Sequence, residues 1–324
     1  MEVVPVAKRT VFVTDYTMAK EMDLEAEILA EIDAAIVRAQ CQSEEEVLAQ
    51  MVPCDAIITQ WAPLGRKAME RAQRCRVISR NGIGLDNIDL KAAQDMGIAV
   101  VNVPAYCVQE VADHTMALVL ALIRKVVPTV KLVQRGGWDI DSLMPIRRVD
   151  TQTLGIVGLG RIGSAVAARA KPFFKEIVAW DPFVDRERFA EAGVKSVGQE
   201  ELWREADIVT LHVPHNESTH HLINTESLSR MKDGAYIVNT CRGAVVDTEA
   251  LVEALRSGKL GGAGLDVHEE EPLPPDHPLH EMDNVIITPH MAFYSEESLL
   301  EARRATCENL VRFFKGEQPI SRVV

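Results

Sequence analysis

Three glycines fall within the stretch "TLGIVGLGRIGSAVAARA", Thr153 to Ala170, and this stretch constrains the fold more than any other. A β-branched apolar run leads into it and an alanine-rich amphipathic pattern leads out, so it reads as strand, tight turn and helix. Gly158, Gly160 and Gly163 give G-x-G-x-x-G. In such a unit the first glycine allows the turn, the second lets backbone approach a pyrophosphate, and the third permits close helix–sheet packing. The amide groups at the helix N-terminus then face the phosphates. Asp181 ends the next strand-like run, "EIVAWD". Its carboxylate suits both hydroxyls of an adenosine ribose and opposes a 2′-phosphate, which predicts NAD rather than NADP. The competing reading is a glycine turn in some other α/β sheet.

The stretch begins almost halfway along 324 residues, a length that predicts two domains. Before it, β-branched runs at Thr10 to Asp15, Asp33 to Val37, Asp55 to Gln60, Arg76 to Asn81 and Ile98 to Val103 alternate with helical patterns such as "SEEEVLAQM" and "RKAMERAQ". That alternation predicts a parallel sheet covered by helices. A long helix is expected from Val108 to Val127, ended by Pro128. A second series follows: "TLGIVG", "EIVAWD", "ADIVTLHV", "GAYIVNT", "LGGAGLDV" and "NVIITPH". A final helix, "SEESLLEARRATCENLVRFF", returns to the first unit, so the expected architecture is one α/β unit interrupted by another.

The net charge of −13 argues against a nucleic-acid partner, whose phosphates attract basic faces. The apolar run "MALVLALI" is far short of the roughly 20 residues that span a bilayer. The N-terminal "MEVVPVAKRTVFVTD" lacks a signal-peptide layout. The six cysteines show neither a C-x-x-C pair nor ligand spacing with histidine, so reduced thiols and a cytoplasmic location are expected, with no metal site.

A dinucleotide becomes a reagent only beside a group that handles the substrate's proton. Three residues lie after strand-like runs of the second series, where open α/β sheets place their crevices. Arg242 follows "AYIVNTC", and its guanidinium suits a carboxylate and a keto oxygen. Glu271 follows "GAGLDV", and His290 ends "VIITPH". A carboxylate beside a histidine favours the imidazolium, which can hold the proton it later gives up. Taken singly, each has a blander reading: a surface salt-bridge arginine, a solvated glutamate, a turn histidine. Their joint position at strand ends favours chemistry. His212 and His215 lie in the loop after "ADIVTL", which fits a cofactor edge, and the adjacent His220 and His221 would diverge on a helix or a strand.

"GLGRIG", "NTCRGAVVD", "GLDVHEEEP" and "TPH", in that order, with "RNGIGLDNIDLKAAQDMGIAVVNVPAYCVQEVADHT" earlier, resemble the D-isomer-specific 2-hydroxyacid dehydrogenases. The wording is most similar to the C-terminal-binding protein corepressors and phosphoglycerate dehydrogenase-like relatives. The resemblance implies two doubly wound parallel-sheet domains of the α/β class. A flavodoxin-like substrate-binding domain, residues 1–103 and 295–324, is interrupted by an inserted Rossmann NAD domain, residues 104–294. It further implies His290 as acid/base, Glu271 as its partner and Arg242 as substrate anchor. The implied cofactor contacts are Thr115, Gly158, Gly160, Arg161, Ile162, Gly163, Asp181, Val213, Pro214, Thr240, Cys241, Asp266 and His290. The implied substrate contacts are Arg80, Asn81, Gly82, Ile83, Gly84, Arg242 and Phe293, with a small anionic 2-keto or 2-hydroxy acid as partner.

Departures from the family pattern bear on the substrate rather than on the chemistry. His268 stands where an aromatic is usual, Cys241 where a smaller residue is commoner, Met291 replaces a smaller residue, and Phe293 replaces the corepressors' tryptophan. A glutamate rather than a glutamine before the histidine speaks against formate dehydrogenase. The chain is expected to lack the regulatory domain of many phosphoglycerate dehydrogenases. The family also implies a homodimer through the NAD domain, for which the helix from Val108 would serve, although a buried core helix would read the same. Arg80 with Arg242 suits a substrate bearing a second anionic group; a structural ion pair would equally explain Arg80. An NAD(H)-sensing, corepressor-like regulator is the alternative function.

Overall fold

The computed structural model describes residues 8–16 and 21–324; the segment 1–7, part of the stretch read against a signal peptide, lies outside the described residues. Among the described residues, strands form two all-parallel sheets in two compact units, Met1–Tyr106 with Ser295–Val324, and Cys107–Tyr294. Both expected parallel sheets are therefore present.

The first unit holds β1 (Arg9–Val13), β2 (Ala34–Arg38), β3 (Ala56–Thr59), β4 (Val77–Arg80) and β5 (Ala99–Val101), in the order β2-β1-β3-β4-β5. This is the flavodoxin-like strand order. β3 and β4 are buried at every position, as befits central strands covered on both faces. Alternation assigns the faces. Val11, Val13 and Ile58 pack with Cys307 and Leu310 of the helix Glu296–Lys315. Phe12, Ile57 and Ile78 pack oppositely with Val47 and Met69. The returning helix starts at a Ser295–Ser298 capping box and is pinned by Arg303, which bonds the fully buried Glu25 at 2.6 and 2.8 Å. The tail covers the edge of β5 through an antiparallel bridge, Val101 to Arg322.

The second unit holds β6 (Thr153–Val157), β7 (Glu176–Trp180), β8 (Lys195–Ser196), β9 (Ile208–Leu211), β10 (Ala235–Asn239), β11 (Leu260–Leu265) and β12 (Val285–Ile287). Their order is β12-β11-β10-β9-β6-β7-β8. The direction of winding reverses between β6 and β9, so the carboxyl ends of those strands flank the crevice where such sheets bind ligands. β8, two exposed residues at the edge, has no apolar period and carries no strand signal in sequence.

The helix expected from Val108 to Val127 needs correction. It runs Val108–Ile123, breaks where Lys125 adopts φ +51°, and a second helix spans Val126–Gln134. Pro128 lies in the first turn of that second helix, where its missing N–H leaves no bond unmade, and so does not end a helix. Helix Val108–Ile123 buries Ala112, Met116, Val119 and Leu122 in the core it forms with β10, β11 and the helix Arg161–Ala170.

Candidate active site

The turn after β6 is built for close approach. Gly158 has φ +89°, and a Cβ there would stand 2.6 Å from the His212 carbonyl. A Cβ on Gly163 would collide with the Gly158 carbonyl oxygen, so only glycine lets helix Arg161–Ala170 start so near the strand. Gly160, by contrast, faces open space. Asp181, just past β7, accepts the Leu159 N–H at 2.8 Å and the Phe183 N–H at 2.9 Å. Two carboxylate oxygens have capacity for further donors. Arg161 begins the helix on an exposed side and Ile162 packs inward. Both ring nitrogens of His212 are buried without a hydrogen-bond partner, and burial pushes its pKa down to about 3, leaving it neutral. The open glycine, the adjacent carboxylate and these orphaned nitrogens fit a dinucleotide.

Along the sheet, Thr115 and Thr240 share a hydroxyl hydrogen bond at 2.9 Å. The Asn239 side chain shapes the turn after β10: its Oδ1 accepts the Cys241 N–H at 3.0 Å and its amide donates to the Arg242 carbonyl at 2.8 Å. Burial pushes the Cys241 thiol up to about 11, so it stays protonated. Arg242 donates to the Cys241 carbonyl at 2.6 Å. A Cβ on the next residue, Gly243, would collide with the backbone of His268 and Glu269, so the arginine turn packs directly on the segment leading to Glu271. Val213 is half-buried against the larger core, and the Pro214 carbonyl accepts from Thr219 at 2.6 Å.

His290 is the centre of the arrangement. Its Nδ1 lies 2.7 Å from Glu271 Oε2, while Glu271 Oε1 accepts the His268 N–H at 2.9 Å. Burial pushes the Glu271 carboxyl up, but its hydrogen bond and attraction to His290 and the His268 N–H outweigh this and hold it below the usual range. Glu271 is therefore an anion at neutral pH, set directly against the Nδ1 of His290. Burial pushes His268 down, so it is not a second cation at neutral pH. His290 has φ +50°, unusual without glycine. Its N–H donates to the carbonyls of Asp266 at 2.8 Å and Thr288 at 3.0 Å. Phe293 meets its ring edge-on, centroids 6.2 Å apart.

Asp266 is buried and accepts three donors from the same loop: the Thr288 hydroxyl at 2.6 Å and the Met291 and Ala292 N–H groups at 2.9 Å. Those bonds shape the loop that presents His290, a service the sequence did not disclose. Thr288 and Asn239 also went unmarked; Thr288 in "TPH" could have been found as a hydroxyl at a strand end.

In the first unit, Arg80 ends β4 with its guanidinium 5.6 Å over Trp61 and bonded to the Asn81 carbonyl at 2.7 Å. It lies across Gly82, which has φ +147°. Asn81 accepts from Thr306 at 3.1 Å, and the Ile83 carbonyl accepts from Asn102 at 2.7 Å, so the loop from Asn81 to Gly84 is held by its own unit.

His220 and His221, expected to diverge on a helix or a strand, lie on neither. His221 has φ +49°, neither helix nor strand, and the two rings stack with centroids 4.0 Å apart. His221 then reaches Glu269 at 2.6 Å. Among the described residues, no group of three or more histidine, cysteine or acidic side chains is arranged to hold a metal ion. Among the described residues, no helix is long and apolar enough to cross a membrane.

The model of the D-isomer specific 2-hydroxyacid dehydrogenase NAD binding domain matches residues 116–292. A glyoxylate reductase of Korarchaeum cryptofilum is 42% identical over 86% of this chain and 85% of its own length. A D-3-phosphoglycerate dehydrogenase of Methanocaldococcus jannaschii is 40% identical over 85% of this chain; this chain spans 52% of that relative's length. Among solved structures, D-lactate dehydrogenase from Aquifex aeolicus, complexed with NAD and lactic acid, is 33% identical with a TM-score of 0.85. That match covers 95% of this chain and 96% of the other.

Proposed function

The chain belongs to the D-isomer-specific 2-hydroxyacid dehydrogenase family and is an NAD(P)-dependent oxidoreductase; from that premise we propose that it interconverts a small 2-keto acid and its D-2-hydroxy acid with His290 as acid/base. The observation that carries this is the 2.7 Å bond between His290 Nδ1 and Glu271 Oε2 at the strand ends of the dinucleotide-binding unit. When bound, the nicotinamide supplies or accepts the hydride. With Nδ1–H committed to Glu271, Nε2 is the nitrogen that handles the substrate's proton. As imidazolium, His290 gives the Nε2 proton to the carbonyl oxygen; as neutral imidazole, it takes the hydroxyl proton in the reverse direction. Arg242 grips carboxylate and keto oxygen together, a task suited to its planar fork. By family resemblance the Asn81–Gly84 loop would meet the substrate carboxylate, and the Arg80 charge at that loop favours a substrate with a second anionic group.

The charge of Asp181 favours NAD over NADP. A homodimer through the NAD-binding unit is supported by exposed apolar side chains on one face of helix Val126–Gln134, Val126, Val130 and Val133, continued by the exposed Trp138, Ile140 and Met144. A cytoplasmic site of action agrees with six free cysteines.

The test is loss of NADH absorbance with pyruvate, glyoxylate, hydroxypyruvate, 2-ketobutyrate, oxaloacetate, phenylpyruvate and 3-phosphohydroxypyruvate, each repeated with NADPH. One strong substrate, faster with NADH, is expected. Silence across the panel with NADH binding intact would overturn the reading in favour of an NAD(H)-sensing regulator.

A further inference from the structure

We infer that His114 is a positioning residue for this reaction, acting on His290 through Thr288 and Asp266. The inference rests on the acid/base reading of His290.

His114 projects from helix Val108–Ile123, and its Nε2 stands 3.0 Å from the Thr288 hydroxyl. That hydroxyl in turn bonds Asp266 Oδ1 at 2.6 Å. Chemistry fixes the direction of the relay. Oδ1 also accepts the Met291 N–H and Oδ2 the Ala292 N–H, so both carboxylate oxygens act as acceptors. The hydroxyl's single proton therefore goes to Asp266, and its oxygen has only lone pairs left for His114. Nε2 must carry a hydrogen: imidazole donates to hydroxyl, and hydroxyl donates to carboxylate. Nε2 also lies 3.6 Å from Asp266 Oδ1, so whenever His114 is protonated its charge faces the carboxylate directly.

Four donors from Thr288 to Ala292 converge on Asp266: one hydroxyl and two amides on its carboxylate, and the His290 N–H on its carbonyl. These bonds hold His290 in a left-handed conformation that persists only where its surroundings over-determine it. Thr288 joins His114 to this cluster. Without the His114 donor, the Thr288 hydroxyl loses the partner that fixes its rotation, one of the bonds on Asp266 weakens, and the His290 ring is held less firmly against Glu271. The glycine turn and Asp181 follow β6 and β7, with β9 and β10 standing between β6 and β11, so dinucleotide affinity is expected to fall less than turnover.

The experiment compares full-length His114→Phe, which keeps a ring but removes the donor, with His114→Gln, whose amide nitrogen reaches nearly as far as Nε2. Turnover is measured on the best substrate of the panel, and NADH Kd by fluorescence. In His114→Phe, kcat should fall about tenfold, less than the hundredfold of a full ångström of misplacement, with NADH Kd rising by a smaller factor than kcat falls. His114→Gln should recover most of that loss, which a merely structural role would not predict. Thr288→Val should reproduce the loss and Thr288→Ser should not; this pair also decides the matter if His114→Phe fails to fold. An independent readout is the His290 Nδ1 proton by NMR, assigned by its disappearance in His290→Ala, which should exchange faster in His114→Phe. Wild-type kcat and exchange in His114→Phe, or equal loss in the Phe and Gln variants, would overturn the inference. Turnover surviving in His290→Ala would instead sink the acid/base reading, and the NMR comparison would still judge the relay.

Discussion

Asp15 in the first unit and Asp266 in the second stand at the same point of their sheets, each just past the carboxyl end of a parallel strand, and each secures the loop leaving the neighbouring strand. Asp15, after β1, accepts the N–H groups of Gln60 at 3.0 Å, Trp61 at 2.7 Å and Ala62 at 3.2 Å, all beyond β3. Asp266, after β11, does the same for the loop beyond β12. A chain leaving a parallel strand runs out of ladder partners, and a buried carboxylate satisfies the stranded amides. Asp181 is a smaller version, holding one amide of the turn after β6. What differs is the cargo. The Asp15 loop contains no titratable residue between Thr59 and Ala62, whereas the Asp266 loop carries His290 with its own carboxylate partner. One structural device thus secures a plain loop in one place and the loop of the proposed acid/base in another.

The largest expected effect falls on the cargo itself. His290→Ala should lower turnover by about a thousandfold, within the usual contribution of a general acid, while fluorescence titration shows NADH still bound. The comparison is tested more directly by Asp15→Asn and Asp266→Asn. Each substitution points an amide NH2 at donors that had an anionic acceptor, and charge-assisted bonds of this kind are worth about 1.5–3 kcal/mol. Both variants should therefore lose a similar amount in thermal or urea unfolding. Asp266→Asn should in addition lose about a hundredfold in kcat, the scale of a misplacement near one ångström. Asp15→Asn, assayed well below its Tm, should keep its kcat. Equal kcat losses would break the distinction between the two loops.

What the sequence disclosed follows the reach of each signal. Gly158, Gly160, Gly163 and Asp181 were legible because their roles are local: a turn, a close approach, a strand end. Arg242, Glu271 and His290 were legible as strand-end residues and, beyond that, through family resemblance. The service of Asp266 to its loop was hidden because its partners lie 22 to 26 residues on and are mostly backbone amides, which no pattern of side chains announces. His114 was further out of reach, pairing with Thr288 across 174 residues. The helix break at Lys125 and the stacking of His220 on His221 both turn on a single left-handed residue that is not glycine. Propensity gives no warning of that, because the surrounding packing decides it.

The smallest effect separates the two loops by titration. Glu271 is held below the usual carboxylate range, because its bonds to His290 and the His268 amide outweigh the upward push of burial. A group depressed in this way stabilises the folded chain above its unfolded pKa, and that contribution is lost as pH falls through its folded value. In the neutral range it is an anion, and its charge faces the imidazolium that reduction would use. On the proposed mechanism reduction uses protonated His290 and oxidation the neutral ring, so the two rates should run oppositely with pH. Glu271→Gln keeps a hydrogen-bonding oxygen and removes the charge. The limb on which reduction is lost should therefore move to lower pH. The limb on which oxidation appears should move down with it, since neutral His290 is then reached sooner. Asp15→Asn has no histidine to act on and should leave both limbs where they are. A limb that stays put in Glu271→Gln, with kcat/KM otherwise measurable, would mean that Glu271 orients the ring without setting its charge.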